Sequence, residues 1–276
     1  MASDIKAVRA RIKSVESTRH ITKAMGLVAS AKIGNATRKM EGAVYYRSVM
    51  MEAFSTIANE RSIYTSDRRT RLPSLYVVVA GDRGLAGGYN SNIFRSANAM
   101  IGQDDVVIPI GRRAIEYYSR RGRCHTADYD TVEHFSVEDA ACLAKHVRDM
   151  YARGEVVAVN IIWTRYVSAL TQTPDITYVL PLRRGADGAT SRHCVIEYEP
   201  SAAAVMEAII PDYIAGILYS AVAESCVAEL AARRTAMDTA TKNANEMMSE
   251  LCLRYNRARQ SAITQEITEI VAGTNT

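Results

Sequence analysis

Apolar positions recur every three or four residues at both ends of the chain and lose that period in the middle. Alternating steps of three and four from Ile5 meet Val8, Ile12, Val15, Arg19, Thr22, Gly26, Ala29, Ile33, Ala36, Met40, Ala43, Arg47, Met50, Phe54 and Ile57. Twelve of these sixteen positions are apolar. A heptad stripe of this kind predicts a helix that supercoils left-handedly with a partner. The stripe weakens at Arg19, Thr22 and Gly26. Two readings of Gly26 stand side by side: a close helix crossing, or a surface that something outside the chain approaches.

A second stripe begins at Val227 and runs through Leu230, Arg234, Met237, Thr241, Ala244, Met248, Leu251, Tyr255, Ala258 and Ala262, nine of eleven apolar. It drifts afterwards to Ile263, Ile267, Ile270 and Val271. Residues 217–272 contain neither Gly nor Pro. One helix through them would be roughly 84 Å long at about 1.5 Å per residue. No compact domain buries a helix of that length, so the pattern predicts a projecting rod that follows Pro211 and Gly216. The simplest solution pairs the two stripes antiparallel. The extreme C-terminus then outruns its partner, and its small, apolar surface calls for a sleeve made by other subunits.

The middle carries the breakers. All six prolines lie between residues 73 and 211, and eleven of the fifteen glycines between 81 and 216. Short apolar, β-branched runs predict strands at 75–80, 106–110, 156–164 and 176–182, with a short piece at 195–198. Helical patterns lie between them at 89–101, 112–121 and 137–153. Alternating strands and helices predict an α/β sheet domain. Pro181 argues that the fourth strand is an edge or ends there. The predicted class is α+β with an α/β centre: a long antiparallel coiled coil of the N- and C-terminal helices plus a globular, Rossmann-like α/β domain. The predicted divisions are 1–60, 72–205 and 208–276, the last pairing with the first.

Charge modifies this picture at one end. The net charge is only +4, yet residues 1–47 hold ten Lys or Arg against three acids. A basic segment predicts an acidic partner. Nucleic acid is disfavoured, because the same helix must spend its apolar stripe on packing. Five scattered cysteines fit a reducing compartment better than a disulfide framework. No run of 18 apolar residues predicts a membrane span.

Candidate chemistry is sparse. Gly81-Asp82-Arg83-Gly84-Leu85-Ala86-Gly87-Gly88 follows a predicted strand and precedes a predicted helix, the context of a phosphate-binding loop. Its spacing is GxxGxxG, not GxGxxG, and GxxxxGK[ST] is absent. A tight strand-to-helix turn is the favoured reading; the alternatives for the chain are a nucleotide-binding α/β protein using the Gly81–Gly88 loop, or a coiled-coil adaptor. Cys124-His125 and the i,i+4 pair Cys142 and His146 are metal-ligand types, but no CxxC accompanies them. Neither a Ser-His-Asp set nor paired carboxylates stand out. No catalytic residue, cofactor or metal is predicted.

Four stretches resemble the gamma subunit family of the F1 sector of ATP synthase. They are residues 21–25 (ITKAM) continuing through 28–32 (VASAK), 81–85 (GDRGL) with 87–90 (GGYN), 234–238 (RTAMD) with 241–244 (TKNA), and 255–260 (YNRARQ) running into 263–270 (ITQEITEI). The resemblance implies a non-catalytic central rotor shaft. It would couple proton flow through the membrane sector to ATP synthesis in a ring of three alpha and three beta subunits. The implied partners are alpha, beta, epsilon and the membrane c-ring, with peripheral membrane association and no nucleic acid. Residue by residue, it implies that Met25 packs near the beta lever and that Arg233, Gln260, Thr264 and neighbouring Glu266 contact beta. Lys6, Arg9, Arg11, Lys13 and Lys23 are then placed to meet acidic loops on beta. The absence of a presequence favours the cytoplasmic face of a bacterial plasma membrane over the mitochondrial matrix face.

Overall fold

The computed structural model describes residues 2–57, 62–65, 72–182 and 198–274. The chain packs as two compact units, Met1–Ser30 with Arg233–Thr276, and Ala31–Ala232. Among the described residues nine elements follow in order: α1 (Ala2–Ile57), β1 (Leu75–Val79), α2 (Tyr89–Met100), β2 (Val106–Ile110), α3 (Arg112–Ser119), α4 (Val137–Ala152), β3 (Val159–Tyr166), β4 (Gln172–Leu180) and α5 (Ala202–Thr274).

Ala31–Ala232 is built on a four-stranded sheet of order β2-β1-β3-β4. β1 is parallel to both β2 and β3, and β4 runs antiparallel to β3. Strand side chains alternate between two cores. Leu75, Val77, Val79, Ile161 and Trp163 face α4 and the first part of α5, including Met206, Ile210, Ile214 and Leu218. Val78, Ala80, Val107 and Ile162 face Ile93 and Ala97 of α2 and Ala114 and Tyr118 of α3. Helices on both faces explain why β1 and β2 read as unbroken apolar runs rather than alternating ones. α4 starts at a capping box: Ser136 Oγ accepts from the Asp139 amide at 3.1 Å, and the Asp139 carboxylate accepts from the Ser136 amide at 2.9 Å.

The largest boundary differences from the sequence reading are at three element starts. β3 begins at Val159, not 156, because pairing starts where Val159 meets Leu75; Val156 is buried without being paired. β4 begins at Gln172, not 176. Its first residues, Gln172-Thr173-Pro174-Asp175, are polar and lie at the open edge, where Pro174 forfeits no ladder bond from a neighbour beyond. α5 begins at Ala202 and carries Pro211 inside it. Burial of Met206, Ile210, Tyr213 and Ile214 holds that turn helical against the proline. The expected strand piece at 195–197 lies outside the described residues.

Within Ala31–Ala232, α1 and α5 pack antiparallel. Phe54 meets Tyr213 with ring centroids 4.4 Å apart. Gly216 admits the Tyr46 ring: a Cβ there would lie 2.6 Å from Tyr46 Cε1. Arg47 approaches Glu224 at 3.7 Å and stacks over Trp163. An 18-residue window of α5 has the length and apolarity of a membrane-crossing helix, but 78% of it is buried in the fold, as befits a core helix.

In the other unit the same two helices pair again. Val15, Thr22, Gly26 and Ala29 are buried on α1, and Met237 and Ala244 on α5. Thr22 Oγ1 and Thr241 Oγ1 are 2.8 Å apart. A Cβ on Gly26 would lie 3.4 Å from Asp238 Oδ1 and 3.5 Å from Met237 Cβ. The stripe weakens at Thr22 because a hydroxyl pair stands there in place of apolar knobs, and at Gly26 a Cβ would meet α5 at ordinary contact distance.

Candidate partner-contact surfaces

The Gly-rich turn lies at the carboxyl end of β1, between its two parallel neighbours β2 and β3, at the end of the sheet where Rossmann-like folds bind ligands. Here it is filled by the protein itself. The Gly81 amide donates to Asn90 Oδ1 at 2.9 Å, and Asn90 Nδ2 donates to the Arg83 carbonyl at 3.2 Å. Asp82 accepts from the amides of Val132 at 2.8 Å and Glu133 at 3.2 Å. The carboxylate of buried Glu229, on α5, lies so close to Gly81 that a Cβ would sit 2.7 Å from its Cδ. Two carboxylates at the mouth of the turn repel a phosphate.

What the turn does is grip α5. The Tyr89 hydroxyl donates to the Ser225 carbonyl at 3.0 Å. The Thr164 amide donates to Ser225 Oγ at 3.1 Å, and the Tyr166 amide to Glu224 Oε1 at 3.1 Å. Ala86, Tyr89 and Ala228 form a small buried cluster. Burial, first of all, raises the Tyr89 hydroxyl well above its ordinary range and pushes the Cys226 thiol up to about 12. Both stay protonated at neutral pH. Glu224 is also raised by burial, against the opposing pull of Arg47. The packing of the turn against α5 agrees with its reading as a strand-to-helix turn, but Ser225, which accepts from Tyr89, carries no local signal of that role.

The predicted contact residues occupy helix surfaces. Lys6, Arg9, Arg11, Lys13 and Lys23 are exposed on α1. Met25 is half-buried, as is Arg233 on α5. Gln260 and Thr264 are exposed one turn apart, with Thr264 Oγ1 donating to the Gln260 carbonyl at 2.9 Å. Glu266 lies in α5, and its side chain is outside the described residues. Lys23 borders a cleft of about 430 Å³ with Arg19, His20, Leu27, Arg234 and Asp238. Sequence reasoning missed Arg19, His20 and Arg234 as members of one basic cleft; their signal was the interrupted stripe.

Apolar side chains also stand in solvent. Leu27 is 64% exposed, and Ile263, Ile267 and Ile270 are 45%, 56% and 68% exposed. Val271, in the same predicted stripe, has its side chain outside the described residues.

Solved structures share this fold. A chain of the Euglena gracilis mitochondrial ATP synthase rotor, in rotational state 1, superposes with TM-score 0.70 at 18% identity, covering 95% of this chain and 100% of that one. A chain of the Tetrahymena thermophila mitochondrial ATP synthase central stalk and c-ring gives TM-score 0.58 at 22% identity, covering 80% of this chain and 99% of that one. The architecture is thus that of ATP synthase central stalks. The family model described as ATP synthase matches residues 4–276. The ATP synthase gamma chain of Ruminococcus albus is 38% identical, with 97% of this chain and 96% of that one covered. That of Heliobacterium modesticaldum is 37% identical, with 98% and 97% covered. The chain belongs to the ATP synthase gamma chain family.

Proposed function

We propose that this chain is the central rotor shaft of an F1Fo ATP synthase, with no catalytic site of its own. It couples proton flow through the membrane sector to ATP synthesis between alpha and beta subunits by turning inside their ring. The observation that carries this reading is the pair of exposed isoleucines one turn apart near the end of α5, Ile263 and Ile267. Apolar residues on one helix face do not stay in water without a partner, and a surrounding ring supplies one. Small and apolar contacts also suit a turning tip, because breaking a buried ion pair at each step would cost about 3–5 kcal/mol.

On this reading Met25, Arg233, Gln260, Thr264 and Glu266 contact beta. Lys6, Arg9, Arg11, Lys13 and Lys23 meet acidic loops through exposed pairs worth roughly 0–1 kcal/mol each. Residues 1–60 and 208–276 act as the shaft, and 72–205 as the foot that meets epsilon and the c-ring. The bacterial relatives support a peripheral place on the cytoplasmic face of the plasma membrane.

Assembly tests the proposal. The purified chain should hydrolyse no ATP alone, yet join alpha and beta in a complex whose ATPase depends on it. Steady turnover by the chain alone, or failure to enter the complex, would overturn it.

A further inference from the structure

His125 and His146 come from different elements of the α/β unit. His125 lies in the segment after α3, fixed by its amide, which donates to the Val107 carbonyl of β2 at 2.9 Å. His146 stands on the exposed face of α4. Their Nε2 atoms are 3.3 Å apart, with ring centroids at 5.5 Å and planes inclined by 31°. Two imidazole nitrogens bound tetrahedrally to one zinc ion, each at about 2.0–2.1 Å, are roughly 3.3–3.4 Å from one another. The two nitrogens are in hydrogen-bonding contact, and their separation is also that of two ligands of a single ion.

We propose that His125 and His146 form a divalent transition-metal site, taking Zn²⁺ or another ion that favours imidazole, with water in the remaining positions. Cys142 lies one helical turn before His146 and is exposed. Among the described residues no three His, Cys, Asp or Glu side chains converge to hold an ion. The ligand set is therefore the two imidazoles, and the ion exchanges freely with solution. Bound, it ties the segment after α3 to α4 and stabilises the folded chain by mass action.

Calorimetric titration of the full chain with zinc chloride, beside thermal melts with and without zinc, tests this. One equivalent should bind and the melting temperature should rise. Both histidines are exposed, so His125→Gln and His146→Gln should fold with unchanged circular dichroism. Each should weaken binding by about tenfold or more and abolish the thermal shift. His134→Gln, at a histidine outside the pair, should change neither. Wild-type zinc binding by both His125→Gln and His146→Gln, or no binding by the unaltered chain at millimolar zinc, would overturn the site. So would loss of binding in Cys142→Ser while both histidine variants still bind.

Discussion

Gly81 shows how little room the grip on α5 leaves. All three nearest atoms to a Cβ there belong to the Glu229 carboxyl, at 2.7–3.0 Å. Gly81→Ala should therefore destabilise the chain by about 1–3 kcal/mol through overpacking, read as a lowered denaturation midpoint. In a Glu229→Ala background that cost should shrink, because the clashing group is gone; an equal cost in both backgrounds would place the strain elsewhere. Met25 is half-buried on α1 beside buried Gly26, and Met25→Lys sets a charge at the proposed beta contact. Proton-driven ATP synthesis in reconstituted vesicles should fall while assembly survives. Unchanged coupling would remove Met25 from that contact. The glycine was legible because a motif drew attention to it, whereas Met25 entered only through the family resemblance. Glu224, Ser225 and Glu229 were not: each reads as an ordinary polar helix position until the fold buries it.

Between elements, the least predictable feature is the ion pair joining α1 to α5 through Arg47 and Glu224, both largely buried. Burial raises Glu224 and lowers Arg47, and each partly restores the other. Removing one partner strands a buried charge, so Arg47→Met should cost about 3 kcal/mol at neutral pH. Arg47→Met with Glu224→Leu should recover most of it. The pH dependence has a defined sign. A carboxyl whose folded pKa is raised favours the fold while protonated and loses that contribution as pH climbs through the raised value. The Arg47→Met deficit should hence be largest at neutral pH and shrink on acidification, measured by urea midpoints across pH. A constant deficit would show that Glu224 does not ionise in the folded chain. Element boundaries were legible where burial and pairing coincide, as at β1 and β2. They failed where they part: Val156 is buried but unpaired, the first half of β4 is paired but polar, and Pro211 is held helical by its buried neighbours.

The pairing of the two ends was the most legible feature of all. Two heptad stripes of opposite direction leave few other ways to bury both, and the Thr22–Thr241 and Phe54–Tyr213 contacts lie where an antiparallel pair puts them. A partner ring was legible only indirectly, as exposed apolar residues at Ile263 and Ile267. A contact surface on a helix has no motif of its own, because its chemistry is completed by another chain. The central claim is that this chain turns while its partners catalyse. The most direct measurement attaches a probe to exposed Cys142 of the α/β unit, after Cys252→Ser removes the other thiol exposed among the described residues and Cys194→Ser the one outside them, in a surface-fixed complex with alpha and beta. With ATP supplied, the probe should rotate in one direction in discrete steps. A probe that stays still while the complex hydrolyses ATP at its full rate would contradict the account.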